Sequence, residues 1–166
     1  MMLTNTILEE FIEEMDTTIR IFEALTDEMF DFSPHKKSKT VEELANHMVL
    51  IPSWVVAILG SPILDWAQYT PPAPITNVKD LINTYKENIA SAIKSFNYIV
   101  DKDLTIEWTM KNGDFTFFTV PKYVAIKKLI INHTIHHRAQ MGVNLRLNDI
   151  DLPASYVSSA DENLFS

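Results

Sequence analysis

Ile130-Ile131-Asn132-His133-Thr134-Ile135-His136-His137-Arg138-Ala139-Gln140 is the stretch on which the reading of this chain turns. His133 and His137 stand four residues apart, so on a helix their side chains leave one face as neighbours. Ile126, Leu129 and Ile130 continue that face toward the N-terminus, which turns the imidazoles toward the interior. This spacing lets two imidazole nitrogens reach one metal ion. A third histidine, His47, lies on another apolar helical stretch, one position off the stripe of Leu44, Met48 and Ile51. A polar group buried there needs a partner. Three neutral imidazoles with one open position form the ligand set of a catalytic metal centre. The competing reading is three core histidines, each satisfied by its own hydrogen bond.

The histidine stretch belongs to the last of four long helical patterns. Leu8, Phe11, Ile12, Met15, Ile19 and Phe22 follow the helical period in the first, with the glutamates facing away. The second opens on a capping box, Thr40-Val41-Glu42-Glu43, and turns Leu44, Met48, Ile51, Val55 and Ile58 inward. Pro52 should kink it, and Gly60 and Pro62 should end it. The third starts near Asn77 and runs Val78, Ile82, Tyr85, Ile89, Ile93, Phe96, Val100. The fourth starts at Thr119, with Pro121 in its first turn, and reaches about Leu147.

The connections differ in kind. Gln68 to Ile75 is proline-rich and reads as an extended crossover. Leu104 to Thr109 and Phe115 to Thr119 are β-branched and aromatic, and Asn112-Gly113 between them signals a hairpin. Leu152 to Ser166 reads as an irregular tail lying on the helices. The expected fold is all-α: one domain over 1–166, a four-helix bundle with a small hairpin before the last helix.

Composition narrows the function. The chain has 166 residues and a formal net charge of -8, which argues against nonspecific binding to nucleic acid or an anionic membrane. Nine acidic residues and only Arg20 as a base fall within 1–31, whereas Lys122, Lys127, Lys128, Arg138 and Arg146 make the histidine helix basic. Two solvated edges that complement each other account for this better than a binding patch. There are no cysteines, so thiolate ligands and cysteine nucleophiles are excluded. The N-terminus lacks a signal peptide's basic region. Leu44 to Leu64 carries no Asp, Glu, Lys or Arg, but its dense apolar part, Met48 to Leu59, is short of the roughly 20 residues of a membrane span. A buried core helix fits better, in a cytoplasmic protein.

Other chemistries fail on their motifs. A zincin needs Glu directly after the first histidine, and Thr134 stands there. No Glu-x-x-His of a di-iron bundle occurs, no Gly-x-Ser-x-Gly elbow, and no glycine-rich phosphate loop among only three glycines. His136 points about a quarter turn away from the histidine pair, toward the surface or to a supporting position behind a ligand. Gln140, three past His137, is placed to orient an imidazole or to pack between helices. His35, in a loop after Pro34, reads as solvated.

Further motifs carry a family likeness. Phe32-Ser33-Pro34-His35-Lys36-Lys37-Ser38, Val41-Glu42-Glu43-Leu44-Ala45-Asn46-His47, His133 to Gln140 and Pro153-Ala154-Ser155-Tyr156 occur in this order. Over nearly its whole length the chain resembles the DinB/YfiT-like superfamily of metal-dependent enzymes, which is unrelated to the DNA polymerase of similar name. The resemblance implies an up-down-down-up bundle, commonly homodimeric. It also implies one divalent metal on three histidines, here His47, His133 and His137. Characterised relatives include thiol-dependent S-transferases and a mycothiol-dependent maleylpyruvate isomerase, and others look like hydrolases.

Chemistry follows from that ligand set. A divalent ion on neutral imidazoles keeps its charge and can bring bound water to a pKa near 7, or hold a thiol as thiolate. Any thiol must be a low-molecular-weight cosubstrate, since the chain has none. Zn or Ni is expected first, with Fe, Mn and Cu compatible. The expectation is a thiol-dependent S-transferase or a hydrolase of small molecules, with apolar residues such as Met48 and Ile51 lining its pocket. The alternative is a non-catalytic stress-response or binding module with a structural metal.

Overall fold

The structure is a computed structural model and describes residues 2–165, so Met1 and Ser166, the ends of the expected domain and tail, lie outside the described residues. Helix α1 spans Leu3–Glu23. Its free N-terminal amides are capped from afar: Asp101 accepts from the backbone N–H groups of Leu3 and Thr4, at 2.9 Å each. A carboxylate there satisfies two orphan donors and complements the helix dipole. Helix α2, Val41–Leu50, starts with the expected capping box between Thr40 and Glu43.

Pro52 acts as predicted. The helix breaks into a 3-10 turn at Ile51–Ser53 and resumes as α3, Trp54–Gly60. The whole of Val41–Gly60 is long and apolar enough to cross a membrane by length and composition. Its Val41, Leu44, Ala45, Met48, Val49, Ile51, Val55 and Ile58 are buried in the core. Helix α4, Val78–Phe96, is capped by the Asn77 side chain, and the short α5 is Asp101–Leu104. Val100 is therefore not on the third helix, and it is exposed.

The expectation of an all-α protein is wrong. A three-stranded mixed sheet stands beside the helices, in the order β1 (Ile63–Asp65), β2 (Glu107–Asn112), β3 (Phe115–Pro121). The hairpin β2–β3 was expected, and Gly113 turns it with φ of 58°. The parallel pairing of β1 with β2 was not expected. Asp65 fixes it, accepting from Gly113 N at 2.9 Å and pairing with Lys111 at 3.4 Å. Thr119 and Pro121 belong to β3, because the ladder runs on to pair Pro121 with Glu107. The last helix begins only at Lys122.

That helix has three parts: α6 (Lys122–Ile126), a π-helical turn (Lys127–Ile131) and α7 (Asn132–Leu147). Asn132 N–H reaches back five residues, to Lys127 C=O. The π turn adds one residue to the winding and moves the buried stripe. Ile126 faces the core before it, Ile130 and Ile131 within it, and Thr134, Arg138, Met141 and Leu145 after it.

Helix α1 packs on α4 and α7, and α2 packs on the same two from the other side. Phe11, Met15, Phe22, Tyr85, Met48, Ile51, Ile126 and Ile130 fill the space between them. Each such buried side chain stabilises the fold by about 1.5–3 kcal/mol relative to exposure. The tail from Leu152 is irregular, as expected, and is held by ion pairs Arg20–Glu162 and Arg146–Asp161.

Candidate metal centre

α2 and α7 face each other, and their histidines meet. His47 Nε2 lies 3.2 Å from His133 Nε2, and His137 Nε2 lies 2.8 Å from the same atom. The three ligand atoms lie within 4.8 Å of one another, and all three residues are half-buried. Two nitrogens on one tetrahedral ion, each about 2.0–2.1 Å from it, stand roughly 3.3 Å apart. The cluster therefore has the dimensions of a metal site.

The outer nitrogens decide what the inner ones can do. His133 Nδ1 faces the Leu129 carbonyl at 3.2 Å, and His137 Nδ1 faces Gln140 Oε1 at 2.7 Å. Both oxygens only accept, so both Nδ1 atoms carry the hydrogen. Both Nε2 atoms then present lone pairs, pointed at each other. Two lone pairs at that distance repel, whereas a cation between them is bound by both. An outer hydrogen bond of this kind fixes the tautomer and the ring of a metal-ligating histidine.

Electrostatics hold the rings neutral. Burial lowers the pKa of His47 to about 4, aided by His137, His133 and Lys39. Burial likewise lowers His133 and His137, against the opposing hydrogen bonds to Leu129 and Gln140. The neutral form is the one that ligates a metal. Among the described residues no carboxylate joins the cluster.

The remaining sequence candidates fall outside it. Gln140 is exposed and touches the site only through His137. His136 is exposed, with its ring centroid 5.0 Å from that of His137, and its side chain makes no hydrogen bond among the described residues. His35 is exposed in its loop, where Nδ1 accepts from Lys37 N at 3.2 Å. Met48 and Ile51 do not line the site as expected, since they point into the core at 1% and 0% exposure.

Other residues, unmarked by sequence reading, build the surroundings. Trp54 stands with its ring 5.8 Å from His47 and 5.9 Å from His133, and Trp66 packs edge-on against it at 5.6 Å. Asn46 clamps the proline-rich crossover beside His47, accepting from Ile75 N at 2.7 Å and donating to Ile75 O at 2.9 Å. Three cavities flank the histidines. One, of about 440 Å³, is lined by Lys37, Lys39, His137, Gln140 and Asn144. A second, of about 300 Å³, lies between His47 and the proline-rich crossover. The third, of about 150 Å³, is apolar and opens against His133. The bulk of Trp54 was the one available signal, a large aromatic seven residues after His47.

Another flank of α7 holds a second polar cluster. Arg138 pairs with Glu14 at 2.6 Å, with 4% and 11% of their side chains exposed. It also donates to Glu14 O and to the Tyr156 hydroxyl, at 3.0 Å and 2.7 Å. The glutamates of α1 therefore do not all face away, and Arg138 is no solvated edge. The complementarity of the two charged helices does hold, with Lys127 on Glu10 at 2.8 Å as well.

Comparisons with known proteins agree with this architecture. The family model described as the DinB family matches residues 1–160. The crystal structure of a DinB-like protein from Bacillus cereus superposes with a TM-score of 0.73 at 25% identity, covering 90% of this chain and 95% of that one. A DinB-like protein from Bacillus subtilis gives a TM-score of 0.72 at 18% identity, covering 90% of this chain and 97% of the other, a likeness of fold. No curated protein matches the chain.

Proposed function

The chain belongs to the DinB family, and from that premise we propose that it is a metal-dependent enzyme acting on small molecules. His47, His133 and His137 hold one divalent ion, and the reaction is transfer of a low-molecular-weight thiol rather than hydrolysis. The observation that carries the metal is the outward commitment of the His133 and His137 Nδ1 hydrogens, which leaves their Nε2 lone pairs converging. When bound, such an ion supplies Lewis acidity, lowering the pKa of a water or thiol at its open position.

The chain's own groups then divide the work. Leu129 and Gln140 hold two imidazoles in the ligating tautomer. Lys37 and Lys39 offer positive charge on the His137 side, where an anionic thiol cosubstrate fits. Trp54 shields the His133 side from water. Cavities of different chemistry on one cluster, polar at His137 and apolar at His133, support a two-substrate reaction over hydrolysis, and the absence of cysteine makes the thiol external. A homodimer belongs to this reading through the family likeness, and sedimentation giving only a 19.0 kDa species would remove it.

The test starts with protein purified without a nickel column. Metal analysis should give one divalent ion per chain. A screen pairing small thiols with activated aryl halides, epoxides and esters should then show metal-dependent thiol consumption, lost in a His133→Ala, His137→Ala variant. Metal-replete protein without turnover, whose cobalt-substituted spectrum ignores added ligands, would instead be a binding or stress-response module with a structural metal.

A further inference from the structure

The chain has three tryptophans, Trp54, Trp66 and Trp108. They come from α3, from the turn after β1 and from β2. All three line the same cavity of about 150 Å³, together with Leu64, Met110 and His133. The small sheet thus supplies most of a wall that the helices alone would leave open. The cavity presents no polar surface. His133 shows it only ring carbon, and the indole nitrogens of Trp54 and Trp108 are sealed from it. Trp108 is fully buried, whereas Leu64, Trp66 and Met110 are half-buried, so the cavity meets solvent on their side.

What such a space holds follows from its lining. A water inside a protein needs polar partners, and this cavity offers none. An apolar cavity of about 150 Å³ stays dry and admits a benzene-sized molecule. We propose that this cavity is a binding site for an apolar group of benzene size, a phenyl ring or a branched alkyl group. Binding is driven by the apolar surface that the group and the indoles remove from water. The same lining rejects polar substituents, because a hydroxyl or carbonyl placed there exchanges water for carbon. His133 in the wall sets the group beside the candidate metal centre. Its role as the apolar part of the electrophile rests on the transfer reaction proposed above, but its binding does not.

The test reads the indoles directly. These three are all the tryptophans of the chain, so tryptophan fluorescence reports on this cavity without background. It is followed, with red-edge excitation, during titration with toluene and, separately, phenol, in metal-free and zinc-loaded protein. Toluene should change the emission and saturate with a Kd of about 1 mM, well under the affinity ceiling for so few heavy atoms. Phenol, of the same size, should bind about tenfold more weakly, since its hydroxyl finds no partner. Leu64→Phe, which fills the cavity, should abolish toluene binding while circular dichroism stays that of the parent. Leu64→Ala, which widens it, should admit naphthalene, which the parent excludes. Emission that ignores toluene, phenol bound as tightly as toluene, or toluene binding that survives in folded Leu64→Phe would overturn the proposal. Should Leu64→Phe not fold, naphthalene bound alike by the parent and Leu64→Ala would do the same. Saturable toluene binding in a protein that takes up no metal would leave this inference standing and remove the functional reading instead.

Discussion

Two polar clusters sit on different flanks of helix α7, where Arg138 and its neighbour His137 face in different directions. On one side Arg138 meets Glu14, Thr18 and Tyr156, and each charge and hydroxyl there has its complement. On the other, three like groups, His47, His133 and His137, turn the same atom toward one point. The first cluster is closed by the chain itself, and the second presents three ring nitrogens that could hold a cation. Burial of polar groups does not by itself mark a functional site. The difference lies in whether the chain supplies the partner.

The largest effect should come from breaking the open cluster. A His133→Ala, His137→Ala variant should take bound divalent metal from one per chain to near zero by mass spectrometric metal analysis, while its metal-free form unfolds in denaturant no more easily than the parent. His35→Ala should leave metal content unchanged. Metal retained by the double variant would refute the ligand assignment.

Breaking the closed cluster should show the reverse pattern. Arg138→Ala strands the Glu14 carboxylate in the core and should cost about 3–5 kcal/mol in chemical denaturation, with metal content per folded chain intact. Arg138→Met combined with Glu14→Leu should recover most of that loss. A loss of metal in proportion to the loss of stability would show that the two flanks are one unit.

Gln140→Ala sharpens the contrast from outside. It frees His137 Nδ1 without removing a ligand, and should weaken metal binding about 10–100-fold. The measurement is competition with a chelator. Unchanged affinity would make Gln140 a packing residue.

Acid should separate the flanks most gently. His47 titrates at about 4 in the folded chain against an ordinary 6.5, and His133 and His137 are also lowered, chiefly by burial. Between these values the unfolded chain binds more protons than the folded one, so the metal-free protein is steadiest above 6.5 and loses stability as pH falls toward 4. Bound metal should be released over the same window as the imidazoles take protons. A pH titration of metal release and of the denaturation midpoint checks both, and a flat midpoint across that range would contradict the burial of the rings.

Much of this was legible in the sequence, for local reasons. The capping box, the Pro52 break and the Asn112-Gly113 turn depend on residues a few positions apart, and so does the i, i+4 histidine pair. What escaped was long-range or masked. Three-residue β1 has no period to read, and its partner lies far along the chain. Glu14 hid among the glutamates of α1. Yet Ile7, Phe11, Glu14, Thr18 and Ile21 keep the three-and-four spacing of a buried stripe, which could have set Glu14 apart. Trp54 and Trp66 gained meaning only when the sheet brought them beside Trp108.

The π turn at Lys127–Ile131 has one further consequence. It acts as a phase shifter in the last helix. Because an α-helix advances about 100° per residue, winding these same residues as unbroken α-helix would swing everything downstream through about that angle. Propensity and composition would not change, but His133 and His137 would rotate out of line with His47, and Arg138 out of line with Glu14. The alignment of both flanks is thus stored in the count of residues along one turn.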